Sequence, residues 1–220
     1  MNIAENILKY HLRNVYFFCG TACGGKTTIS KALAEKHGFL WVDGDVGSEE
    51  YKLIADTEHQ PAMMKMPGFK RDMDWEEYFD RPFREYHKLL EASGKEQRPM
   101  TLLELIKLAD TQKVVVDTHM PIKLMKSLTD YNRVVFLVTD TDRIVRDYLN
   151  RPGHQEIYDL IMTLQEPERK LENLYQMLRY GNELFLDELY ESDVLYISRD
   201  DNSTVADTLA QVERHFGLKS

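Results

Sequence analysis

One stretch of the chain constrains its fold more than any other. Residues 14 to 33 read NVYFFCGTACGGKTTISKAL: a run of large apolar residues, a glycine-rich turn, then a segment with apolar residues at helical spacing. Gly20, Thr21, Ala22, Cys23, Gly24, Gly25, Lys26 and Thr27 satisfy the pattern G-x-x-x-x-G-K-[ST] at every specified position, which is a P-loop. The physics behind the pattern is specific. A phosphate chain needs several donors converging on one concavity, and a glycine-rich turn at a helix N-terminus lets backbone N–H groups face inward while the helix dipole favours an anion. Lys26 then reaches the β- and γ-phosphates, and the Thr27 hydroxyl is placed to ligate Mg²⁺. The loop, together with Thr28 directly after it, makes up the candidate nucleotide site.

Such a loop requires a strand before it and a helix after it, and the flanking residues provide both. Val15, Tyr16, Phe17 and Phe18 form a continuous apolar run suited to a central buried strand. Ile29, Ala32 and Leu33 share one face of the following helix, which is expected to stop near His37 and Gly38. Four more strand-like runs follow: Phe39 to Asp43, Lys113 to His119, Arg133 to Thr139 and Val194 to Ser198. Strands alternating with helices predict a three-layer α/β fold with a five-stranded, mainly parallel sheet. Val205, Leu209, Val212 and Phe216 predict a closing helix, with Asn202 and Ser203 as its candidate caps.

Two long insertions interrupt this alternation, from about Val46 to Gln112 and from about Asp140 to Ser192. In the first, Trp75, Phe79, Phe83, Tyr86 and Leu90 recur at helical spacing, with Pro82 starting or kinking a helix, and Leu102, Leu105, Ile106 and Ala109 mark another helix. In the second, Leu171, Leu174 and Leu178 have the spacing of a packing helix. We read the 220 residues as one domain carrying both insertions.

Composition narrows the partners. With 43% hydrophobic and 30% charged residues, the chain is an ordinary globular sequence rather than a disordered one. A net charge of −9 opposes nonspecific nucleic-acid binding, which depends on basic residues neutralising phosphates, so a small-molecule partner is expected. No leader signature and no run of 18 apolar residues is present, so neither membrane insertion nor export is expected and the predicted location is the cytoplasm. Cys19 and Cys23 do not suit a disulfide framework, and no finger-like ligand spacing surrounds them. Nothing in the sequence specifies an oligomeric state.

Beyond the loop, "FLWVDGD" places Asp43 and Asp45 around Gly44 directly after the second strand. In open parallel sheets ligands bind outside the carboxyl ends of the strands, which puts two carboxylates on the loop's side of the sheet. One can hold Mg²⁺ through water while the other aligns or deprotonates an attacking hydroxyl. After the fourth strand, "TDTDRIVRDYLNRPG" carries Arg143, Arg146 and Arg151 ahead of a Pro-Gly break.

The phosphate loop, the D-G-D turn and this arginine-bearing segment together resemble the shikimate, gluconate and adenylylsulfate kinase group of P-loop kinases. The resemblance covers the sheet framework and leaves the acceptor region unassigned. By position, Asp45 resembles the aspartate that meets the acceptor hydroxyl, and Asp43 the one nearer the metal. Arg146 resembles the residue that packs on adenine, and Arg151 the lid arginine that meets the transferring phosphoryl group. The chain departs from shikimate kinases at "VVVDTHM", where they carry a glycine-rich loop. Asp117 there looks more like a Walker B carboxylate, a direct or water-mediated metal partner, with contact to the acceptor as the alternative.

The resulting expectation is an ATP- and Mg²⁺-dependent phosphotransferase acting on a small molecule, with the first insertion binding the acceptor and the second forming a lid. The alternative is a nucleotide-hydrolysing switch or regulatory module, because the same loop serves both uses.

Overall fold

The computed structural model describes residues 3–44, 49–70, 72–151 and 153–219. The strands are β1 (Val15–Gly20), β2 (Leu40–Asp43), β3 (Val114–Asp117), β4 (Val134–Val138) and β5 (Tyr196–Ser198). In chain order the helices begin with α1 (Glu5–His11), α2 (Lys26–His37), α3 (Glu49–Ile54), α4 (Trp75–Asp80) and α5 (Phe83–Ala109). They continue with α6 (Ile122–Leu128), α7 (Thr141–Asp147), α8 (Gln155–Ile161), α9 (Pro167–Tyr190) and α10 (Val205–Phe216).

The chain divides into two compact units: Met1–Gly47 with Met100–Thr139 and Asp187–Ser220, and Ser48–Pro99 with Asp140–Leu186. The first unit holds the sheet, in the order β2-β3-β1-β4-β5, with every neighbouring pair parallel. β1 is therefore central, as its unbroken apolar run requires. All six of its residues are buried. Tyr16 and Phe18 pack with Ile29 and Leu33 of α2 and with Val212 and Phe216 of α10. Alternation along a strand turns Val15, Phe17 and Cys19 to the opposite face. They are equally inaccessible, so both faces of the sheet are covered, which gives the α/β sandwich that the sequence predicts.

Local chemistry sets the ends of the elements. Gly38 ends α2 at φ 65°, and its N–H bonds back to the Ala34 carbonyl, a left-handed stop that glycine adopts without steric cost. The cap of α10 differs from the sequence expectation. Thr204, not Asn202 or Ser203, is the N-cap: its hydroxyl accepts from the Asp207 N–H at 3.1 Å and donates to the Asp207 carboxylate at 2.6 Å. Asp200 draws the other two away, accepting from the Asn202 N–H at 3.0 Å and the Ser203 hydroxyl at 2.8 Å.

The second unit is helical among its described residues, and its core is aromatic. Tyr78, Phe79, Tyr86, Leu149, Ile161, Leu174 and Met177 are buried together, with Trp75, Phe83, Leu90, Leu171 and Leu178 against them. Burial raises the hydroxyl pKa of both Tyr78 and Tyr86. A charged cluster ties α4 to α9. Lys170, 1% exposed, holds Glu76 at 2.8 Å and Asp80 at 2.7 Å and donates to the Gln165 carbonyl at 2.7 Å. Two helices expected between Phe83 and Ala109 are one, α5, with Pro99 inside it. Proline removes one helical hydrogen bond, and Ser93, Thr101 and Leu105 on either side of it are buried.

Candidate nucleotide-binding site

The site begins where β1 ends. The chain leaves Gly20 at φ 122°, and a Cβ there would lie 2.0 Å from the Leu137 carbonyl oxygen of β4. Any side chain at position 20 would therefore displace the neighbouring strand. The Thr21 N–H then bonds to that same carbonyl at 3.1 Å, which fixes the start of the loop to the sheet. Cys23 takes a left-handed conformation at φ 56° and Gly25 another at φ 83°, so the loop curls back before α2 starts at Lys26. Lys26 donates to the Thr21 carbonyl at 3.0 Å, which holds its ammonium across the loop. The result is the strand, turn and helix N-terminus that a phosphate cradle needs.

Two carboxylates lie along the carboxyl edge of the sheet. Asp117, 4% exposed, ends β3 and receives a hydrogen bond from the Thr27 hydroxyl. Asp43 ends β2 directly opposite Asp117 in the parallel register. Gly44 follows because nothing larger fits: a Cβ there would sit 2.9 Å from both Thr118 Cβ and Val116 Cγ2, and the Gly44 N–H bonds to the Asp117 carbonyl at 2.8 Å. The glycine of D-G-D thus locks the ends of β2 and β3 together. Asp45 lies outside the described residues. A threonine hydroxyl touching a carboxylate, with a second carboxylate one strand away, is a hard oxygen donor set that fits Mg²⁺, which keeps several waters and takes few protein ligands.

Arg146 and Arg151 belong to the second unit. Arg146 pairs bidentately with Asp147, at 2.7 Å and 3.0 Å, and with Arg143 it lowers the pKa of that carboxyl. The Arg151 guanidinium lies 4.7 Å from the centre of the Tyr148 ring, with its Nη2 2.8 Å from the His154 ring. Burial first, then the Arg151 charge, lowers the His154 pKa.

The sequence reading missed two residues that touch the loop. Thr139, just past β4, donates its backbone N–H to the Thr21 hydroxyl at 3.0 Å. Arg199, just past β5, donates to the Gly24 carbonyl at 3.4 Å. Neither stands in a motif; Thr139 closes one strand-like run of the sequence and Arg199 directly follows another.

These features define a P-loop α/β fold of the nucleotide-binding type. No protein-family model and no curated protein matches the sequence. Among solved structures the chain is similar to shikimate kinase from Bacteroides thetaiotaomicron, with a TM-score of 0.49 and 18% identity over 93% of this chain and 98% of that one. It is also similar to shikimate kinase from Acinetobacter baumannii in complex with shikimate, with a TM-score of 0.38 and 19% identity over 90% and 88% of the two chains. Dephospho-CoA kinase from Campylobacter jejuni gives a TM-score of 0.41 and 16% identity over 91% and 94%. Among the described residues no helix is long and apolar enough to cross a membrane.

Proposed function

We propose that the protein is an ATP- and Mg²⁺-dependent phosphotransferase that moves the γ-phosphoryl group of ATP to a small-molecule acceptor. The observation that carries this reading is the meeting of loop and sheet edge: a complete phosphate cradle whose Thr27 hydroxyl touches the buried Asp117 carboxylate. A cradle alone serves binding. Joined to carboxylates at the strand ends, it also has the groups that position a nucleophile and a metal.

In this mechanism the loop amides between Thr21 and Thr27 and the N-terminus of α2 bind the phosphates. Lys26 moves from the Thr21 carbonyl onto the terminal phosphates and offsets charge there. Thr27, Asp117 and Asp43 are the residues that would hold the metal. When bound, Mg²⁺ neutralises phosphate charge and fixes the phosphate chain's geometry. Asp45 aligns the acceptor hydroxyl for in-line attack, and Arg146 and Arg151 meet the base and the transferred phosphoryl group. Most of the rate gain then comes from positioning and charge stabilisation.

The test is acceptor-dependent ADP release across a panel of sugar acids, nucleosides, nucleoside monophosphates and aminoglycosides, with ATP-induced thermal stabilisation measured alongside. In Lys26→Met both signals should vanish while the protein stays folded. Unchanged ATP binding and turnover in that folded variant would sink the assignment. ATP hydrolysis indifferent to every acceptor would favour a switch.

A further inference from the structure

We propose that Arg199 is a positioning residue of the phosphate loop, its guanidinium filling the hollow behind Gly24 and Gly25 and holding the loop backbone in its anion-binding shape. The inference rests on the nucleotide-binding reading above and adds a residue that no motif assigns.

The guanidinium spends its donors on three different segments. Nη1 donates to the Gly24 carbonyl at 3.4 Å, Nε to the Thr208 hydroxyl at 3.2 Å and Nη2 to the Ser203 carbonyl at 3.3 Å. Its backbone is fixed as well. The Arg199 N–H bonds to the Val138 carbonyl at 2.8 Å, and its carbonyl accepts from the Thr139 hydroxyl at 2.9 Å. Since the Thr139 N–H bonds to the Thr21 hydroxyl at 3.0 Å, the hydrogen bonds close a ring from Thr21 through Thr139 and Arg199 back to Gly24. Thr21, Thr139 and Thr208 are all buried, so solvent does not compete for these bonds.

Packing supports the same conclusion. A Cβ on Gly25 would lie 1.7 Å from Arg199 Nη1, so the guanidinium sits directly against the Gly25 backbone. The φ of 83° at Gly25 is what favours glycine there. The peptide bond explains the consequence for function. In a trans peptide the carbonyl of one residue and the N–H of the next point in opposite directions. Fixing the Gly24 carbonyl on the guanidinium turns the Gly25 N–H away from Arg199 and stops that peptide from rotating. A planar fork serves this better than a lysine ammonium, because it reaches three fixed acceptors at once.

The experiment uses the full chain and compares wild type, Arg199→Ala and Arg199→Lys. Calorimetry measures ATP and inorganic tripolyphosphate binding, and alkylation of Cys23 in nucleotide-free protein reports loop shape. We expect Arg199→Ala to weaken both ligands to a similar extent, by about tenfold, to raise KM for ATP with kcat changed far less, and to speed Cys23 alkylation. Arg199→Lys should fall between, and millimolar guanidinium ion should restore Arg199→Ala. Wild-type affinities in folded Arg199→Ala would overturn the proposal, as would weaker ATP binding with unchanged tripolyphosphate binding, which would make Arg199 a base contact. If Arg199→Ala does not fold, Arg199→Lys decides: faster Cys23 alkylation than wild type supports the brace, and an equal rate overturns it. Wild-type protein that binds neither ligand would refute the nucleotide reading itself, and equal Cys23 rates in wild type and variants would then refute the brace separately.

Discussion

The two units of the molecule invest in different kinds of order. In the first, the functional region is shaped by main chain: left-handed residues at Gly20, Cys23 and Gly25, and glycines at 20, 24, 25 and 44 where a Cβ would strike a neighbour. In the second, order comes from side chains, with aromatic rings around Tyr78, Phe79 and Tyr86 and the buried ammonium of Lys170 gripping two carboxylates. The turn from Thr21 to Gly25 adds no residue to the buried apolar core, so its shape can change at less cost to the fold than the glycines that touch neighbouring strands. Side-chain packing cannot, because the helices have no other source of stability. On the proposed function, the contrast predicts that activity and stability are separable in this chain, and substitutions should show it.

The largest effect should come from Asp45, the proposed acceptor carboxylate. Asp45→Asn is expected to depress acceptor-dependent phosphoryl transfer by about 100-fold or more while leaving ATP affinity and melting temperature nearly unchanged. Steady-state ADP release with and without acceptor measures this. Full activity in Asp45→Asn would shift the role to Asp117, the buried carboxylate already in contact with Thr27. The mirror-image test lies in the second unit. Leu174→Ala truncates a side chain 2% exposed and should cost about 3 kcal/mol in denaturant unfolding. ATP affinity should persist wherever the protein remains folded, and its loss at full stability would break the comparison.

A smaller effect sharpens the account of the first unit. Burial would raise the pKa of Glu213, but its bonds to Lys36 and His37, both at 2.7 Å, more than offset this and leave it below the usual glutamate value of 4.5. A lowered carboxyl pKa stabilises the fold above the unfolded-state value, and that stability is lost as pH falls through the folded-state value. The wild type should therefore lose stability faster than Glu213→Gln as pH drops below about 4.5, by about 1 kcal/mol. Parallel acid limbs in the two urea titrations would exclude this pair as a contributor.

The sequence made the centre of the first unit legible because several constraints coincide there. β1 must be apolar on both faces, Gly20 must lack a Cβ, and Lys26 must open a helix, so few other structures could satisfy residues 15 to 33. Elsewhere the deciding interactions are distant or cooperative. The local pattern marks two helices between Phe83 and Ala109, and the structure has one, α5, with Pro99 inside it. Thr204 wins the cap of α10 because Asp200 engages its competitors, which no capping preference foretells. Arg199 reaches Gly24 across 175 positions, a separation that no local pattern spans.

That separation has a consequence for synthesis. The loop is among the first segments made, yet the Thr139 N–H that holds it comes 118 residues later and the Arg199 fork 175 residues after Gly24. At ordinary translation rates the gap lasts on the order of 10 to 30 s. During that interval a ribosome-bound chain displays the whole P-loop motif without the parts that give it shape, so on the proposed function nucleotide capture would wait until the last strand has joined the sheet. Nucleotide arriving then would act as a late fastener on a nearly finished protein rather than as a template for its early folding.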